Sequence, residues 1–125
     1  MRPDERFLKG LELFNHGEYF ECHEVIEDLW LEVPENDPNR DLYKGVIQAA
    51  AAIYQWDRGI LSGARGLYRT AVSYLEKYRP EGLGLNTKKL VLEMKLLFAD
   101  LDRWDGHSEM LRDKKLTPVL EYQSL

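Results

Sequence analysis

Apolar residues recur every three or four positions along nearly the whole chain, and no stretch alternates apolar with polar as a half-buried strand does. That spacing restricts the chain to helices packed on helices. Phe7, Leu8, Leu11 and Phe14 predict a first helix that Asp4 caps and Asn15-His16-Gly17 stops. Tyr19, Cys22, Ile26, Leu29 and Val33 predict a second, ended by Pro34, and residues 34–39 form a connector. A third runs from Asp41 to about Arg58, with its polar positions Lys44, Gln48, Gln55 and Arg58 in one narrow stripe and a small-residue seam at Gly45, Ala49 and Ala52. Little of its circumference suits water, so other helices should surround it. A turn at residues 59–63, with Ser62 as the expected cap, precedes a fourth helix reaching Tyr78. The break at residues 79–84 and a start at Asn86 or Thr87 then give a fifth, apolar at Leu90, Met94, Leu97, Leu101 and Trp104. After Asp105-Gly106 the period fades, and residues 116–120 read as an extended tail whose apolar groups dock on the bundle.

The expected architecture is therefore all-α: a compact bundle of five helices, made of two antiparallel hairpins, a closing helix and an extended C-terminal tail. The 125 residues suit one helical domain over 1–125, with its core in 4–104 and the tail in 105–125. The two hairpins repeat each other. Gly17 and Gly59 open equivalent helices, followed at five residues by Cys22 and Ala64, at nine by Ile26 and Tyr68, and at twelve by Leu29 and Ala71. Small residues just past the turn let paired helices approach closely. The unit resembles the helix–turn–helix of tetratricopeptide repeats, Gly10 and Pro34 included, but at a different period, which favours convergent hairpin packing.

Composition removes several function classes. Seventeen Lys and Arg against 22 Asp and Glu give a net charge of −5, the wrong sign for a phosphate-backbone partner, so no nucleic acid is expected. The longest apolar run, residues 46–54, is too short to span a bilayer, and the first residues lack the apolar stretch of a secretory signal, so neither membrane nor export is expected. A single cysteine suits the reducing cytoplasm and excludes a Cys-cluster zinc site. No glycine-rich phosphate loop and no nucleophile elbow is present.

One constellation carries possible chemistry. The second helix holds Glu21, His23, Glu24, Glu27 and Asp28. At about 100° per residue, His23 and Glu27 fall in the apolar sector while Glu21, Glu24 and Asp28 face solvent. Burying such a pair demands partners. The favoured reading is a polar cluster of Glu21, His23, Glu24, Glu27, Lys44 and Gln48 between the central helices, with Tyr54 also in reach, fixing their register. If His23 is such a buried partner, His23→Ala costs roughly 1–3 kcal/mol in denaturant unfolding. Alternatively His23 and Glu27 ligate a divalent metal with Glu24 as base, since His-Glu-Val-Ile-Glu looks like a zincin motif whose second histidine is glutamate. A third option is a groove for a peptide or small ligand edged by Trp30, Tyr54 and Trp56. Arg65, Arg69 and Arg79 read as a solvated face of the fourth helix.

Residues 14–30, Phe-Asn-His-Gly-Glu-Tyr-Phe-Glu-Cys-His-Glu-Val-Ile-Glu-Asp-Leu-Trp, resemble the signature of the uncharacterised domain-of-unknown-function family 309. Residues 44–50, Arg58-Gly59 and Gly63-Ala64 are similar to its second region, and the likeness extends over about residues 4–104. The resemblance implies a compact all-helical protein of prokaryotes and plastids with no known activity, cofactor or partner. Its defining positions fall on Gly17, Phe20, Glu21, His23, Glu24, Glu27, Trp30 and Gln48, while Cys22 replaces an expected alanine. The expectation is a non-enzymatic binding or scaffold module, without a resident cofactor. Its partner is an unknown protein or small molecule, and it has scope to form homo-oligomers. The alternative is a metal-binding protein or metal-dependent hydrolase built on His23, Glu24 and Glu27.

Overall fold

The computed structural model describes residues 2–124. Among them, five helices run in chain order as α1 (Glu5–Asn15), α2 (Tyr19–Glu32), α3 (Arg40–Asp57), α4 (Leu61–Glu76) and α5 (Thr87–Asp102), with no strand. Each helix packs mainly on its neighbours in sequence, α3 against α4 most extensively. The result is the expected all-α bundle of hairpins.

Local chemistry sets the ends. The Asp4 carboxylate accepts from the Arg6 N–H at the start of α1, and the Asn86 side chain accepts from the Lys89 N–H at the start of α5. The expected cap at Ser62 is not used: Ile60 precedes α4 without a side-chain bond, and Ser62 lies exposed in the first turn. The α1–α2 and α3–α4 turns are the same object. Gly17 and Gly59 both take φ +78°, a left-handed conformation that costs a residue with a Cβ. In each, the next residue reaches back five positions, Glu18 N–H to the Leu13 carbonyl and Ile60 N–H to the Gln55 carbonyl, both at 2.9 Å. Cys22 and Ala64 then follow at the same point, both with no exposed surface. Burial pushes the Cys22 thiol up to about 12, so it is a small core group and not a nucleophile.

Close approach holds the layers together. A Cβ on Gly10 of α1 would sit 2.3 Å from the Ile26 side chain, and one on Gly45 of α3 would sit 2.8 Å from Leu75 of α4. Gly45, Ala49 and Ala52 are buried, so the small-residue seam is where α3 presses on its partners. Of the arginines expected on a solvated face of α4, Arg69 is exposed, Arg65 is half-buried, and Arg79 lies exposed beyond the end of the helix; all three have partners. Arg69 Nε donates to Asp102 Oδ1 at 2.7 Å, Arg65 donates to the Trp104 carbonyl at 3.3 Å, and Arg79 donates to Glu76 at 3.1 Å.

The tail docks as anticipated, through backbone as much as through apolar side chains. The Asn15 amide donates to the Leu120 carbonyl at 2.9 Å while its oxygen accepts the Leu120 N–H at 2.7 Å. Gln123 N–H donates to the Gly84 carbonyl at 2.8 Å. Arg112, only 9% exposed, forks onto both carboxylate oxygens of Asp57 at 2.7 and 3.2 Å. Trp56 is drawn into this closure: 3% exposed, with its ring 4.9 Å from Phe98, it donates its indole N–H to the Met110 carbonyl at 2.8 Å.

The paired turns make a testable contrast. Gly17→Ala and Gly59→Ala should each lose about 1–2 kcal/mol of unfolding free energy through the left-handed backbone. Gly66→Ala, in the middle of α4 with nothing within 4 Å of the added methyl, should gain about 0.5–1 kcal/mol. Urea unfolding of the three variants reads both signs.

Candidate functional site

Helix α2 buries Tyr19, Cys22, Ile26 and Leu29. At about 100° per residue these four span an arc of only about 80°, narrower than the apolar sector expected from sequence. The reason is packing. α2 is in substantial contact with α1 on one side and α3 on the other, so the sector beyond is left at the surface. His23 and Glu27 stand on that rim and not in the interior, with side chains 31% and 40% exposed. They do meet each other, His23 Nε2 lying 3.2 Å from Glu27 Oε2 across one helical turn. A half-exposed pair of this spacing is worth about 0.2–0.5 kcal/mol.

The wider polar cluster separates into distinct contacts. Lys44 does not reach the pair: its ammonium lies 4.2 Å from the centre of the Trp30 ring, which also carries the Arg40 guanidinium at 4.3 Å. Arg40 further donates to the Trp30 and Val33 carbonyls, both at 3.3 Å, closing the C-terminal end of α2. Gln48 turns away toward α4 and accepts from Thr70 Oγ1. Glu21 and Glu24 are exposed.

The expected groove residues divide likewise. Trp30 and Tyr54 are half-buried on the α2–α3 surface, whereas Trp56 belongs to the core on the opposite side of α3, about 200° around the helix from Tyr54. In its place stands Phe20, which sequence reasoning passed over as a site residue. Its ring is 43% exposed and lies 5.4 Å from Tyr54 and 6.3 Å from the His23 imidazole. The available signal was its angle, about 100° on the wheel and beside Glu27, outside the arc that two neighbouring helices cover. Leu31 shares that sector and is 66% exposed.

The metal alternative finds two donors in place, His23 and Glu27. Among the described residues no group of three or more His, Cys, Asp or Glu side chains converges to hold an ion. His16 and His107 lie exposed in turns at positions remote in sequence from each other. A protein zinc site ordinarily uses at least three protein ligands.

Charge is unevenly distributed around this face. Nine of the 22 acidic residues lie between positions 10 and 39, where there is no Lys or Arg, so all 17 cations share the rest of the chain with 13 acids. Glu21, Glu24 and Asp28 of α2 form no ion pair among the described residues. No helix of the described residues is long and apolar enough to cross a membrane.

Two comparisons bear on this geometry. Residues 7–67, from α1 into α4, match the family model described as Domain of unknown function (DUF309). The uncharacterized protein YpuF of Bacillus subtilis (strain 168) is 31% identical over 104 residues, a match covering 79% of this chain and 59% of that protein. The chain thus spans less than two thirds of that relative's length.

Rim and core positions should respond differently to truncation. His23→Ala should cost no more than about 0.5 kcal/mol, not the 1–3 kcal/mol of a buried partner. Phe20→Ala should cost about 1 kcal/mol, against about 3–5 kcal/mol for Phe14→Ala, whose ring is 1% exposed. Denaturant titration of the three variants checks the order.

Proposed function

We infer that this chain, whose residues 7–67 carry the DUF309 domain, is a non-enzymatic binding module whose α2–α3 face docks a protein partner. The observation behind the reading is Phe20, an aromatic ring 43% exposed on a helix whose own neighbours leave it uncovered. Such rings at a helix surface supply large contact area at small entropic cost when a partner covers them. Around it lie Tyr54, His23, Glu27 and Trp30, so apolar and polar groups alternate on one open surface. The sequence signature around positions 20–30 falls on this rim at Phe20, His23, Glu24, Glu27 and Trp30.

An open face suits a macromolecule better than a small molecule, which needs a concave pocket. The clefts between residues 80–88 and the tail, between α1 and Val25, beside Trp56 and Trp104, and between α1 and the tail at Leu8, Leu11 and Leu120 are not lined by Phe20, His23, Glu27, Trp30 or Tyr54.

A photo-crosslinking phenylalanine analogue at position 20, compared with one at the exposed Ser73 of α4, tests the reading in the native host. A discrete protein adduct from position 20, identified by mass spectrometry and lost with Leu31→Asp, is the expected result. Equal, diffuse adducts from both positions would remove the α2 face as a docking site.

A further inference from the structure

The α2 stripe has a counterpart on the same molecule. On α2, Phe20, Glu24, Glu27 and Leu31 follow one another at steps of four, three and four, so they share a face, with Glu21 and Asp28 beside it. Its ends, Phe20 and Leu31, are 43% and 66% exposed. The stripe is apolar at its ends, acidic in the middle and roughly 16 Å long at 1.5 Å per residue.

On α5 the buried residues Leu90, Val91, Met94, Leu97, Phe98 and Leu101 occupy one side. The opposite side carries Lys88, Leu92, Lys95, Leu96 and Ala99, again over twelve residues and roughly 16 Å. Leu92 and Leu96 are 50% and 62% exposed. The tail extends this patch. Lys89 Nζ donates to the Val119 carbonyl at 2.6 Å and Val119 N–H donates to Glu93 at 2.9 Å, which lays the exposed Val119 beside α5. The short 3-10 turn Lys114–Leu116 packs on the same helix, bringing two further exposed lysines. Lys88, Lys114 and Lys115 form no ion pair among the described residues, and Lys95 shares Glu76 with Arg79. Glu93 is neutralised by Lys89 and Asp113 caps the 3-10 turn, so this second patch is apolar in the middle with lysines outnumbering carboxylates around it.

Two uncovered apolar patches of opposite charge on one chain have a single economical explanation. We propose that the α2 face of one molecule docks on the α5 face of a second copy. The proposal rests on the reading of the α2 face as a docking surface and names its occupant. Phe20 and Leu31 are covered by the Leu92, Leu96 and Val119 surface, and the carboxylates of Glu24, Glu27 and Asp28 meet Lys88, Lys95 and the lysines of the 3-10 turn. Because different patches meet, the contact is heterologous: a docked pair keeps one free face of each kind, one on each molecule, and assembly continues until a ring closes or a chain ends. Opposite charges speed encounter and make the association salt-sensitive.

The test uses the full chain and two variants, Phe20→Ser/Leu31→Ser on α2 and Leu92→Ser/Leu96→Ser on α5, each checked for unchanged helicity. Sedimentation velocity of the unmodified protein should show mass rising with concentration, with an association constant falling roughly tenfold or more from low to high salt. Each variant alone should stay monomeric. Their equimolar mixture should form a 1:1 dimer and nothing larger, because a single intact pair of faces remains. The charge-only variant Glu24→Lys/Glu27→Lys should lose the low-salt association without any apolar change. A monomeric parent at every concentration, a variant that still self-assembles, or a mixture that does not dimerise overturns the proposal. If the parent is monomeric while crosslinking from position 20 captures a different protein, the second-copy assignment falls and the docking face stands; if position 20 captures nothing either, both fall.

Discussion

Side chains seated directly on the glycine backbone of the partner helix are the constraint from which the rest follows. Gly10 against Ile26 and Gly45 against Leu75 leave no room for a side chain, so the helices of each hairpin are pressed together along narrow seams. The central α3 is buried on most sides, but the seams bury little of α2. α2 hides four residues fully and leaves a broad flank at the surface. The same packing that makes the bundle tight thus creates an uncovered aromatic and acidic face. Core and candidate site are two outcomes of one geometry.

That geometry also explains why ionisable groups tolerate their places. His23 and Glu27 keep enough contact with water to avoid the desolvation penalty of a buried pair, and they lie 3.2 Å apart. Trp30 is held differently, with two cations against its ring and the adjoining carbonyls bound by Arg40. One end of the face is rigid where Arg40 closes it. The other end, at Phe20, is supported by the Tyr54 ring alone among aromatic neighbours of α3.

Much of this was legible from residue order. The five helices, the Asp4 and Asn86 caps, the matched Gly17 and Gly59 turns and the docking of Leu120 all follow from local spacing and turn chemistry, which act within a few residues. The position of His23 did not follow, because angular bookkeeping tells which residues share a side but not how wide a strip the neighbours cover. That width depends on how closely α1 and α3 approach, a property of Gly10 and of the side chains α3 turns toward α2 as much as of α2 itself. Trp56 was misplaced for a related reason. Its burial is completed by Phe98 and Met110, from segments more than forty residues away, and no local pattern announces them. Gln48 lies in the expected polar stripe, yet its partner Thr70 belongs to α4 and not α2. The likeness of residues 14–30 to a family signature located the surface but said nothing of its use.

The double hydrogen bond between Asn15 and Leu120 has a topological consequence. A row of helices in which each touches only the next behaves as a one-dimensional array, free to fray from either terminus. Here an amide at the end of the first helix imitates a neighbouring peptide group and grips the chain 105 residues later. The row becomes a loop fastened to itself. Peeling away the tail together with the last helix must break hydrogen bonds held by the first, which couples the opening of the two extremities.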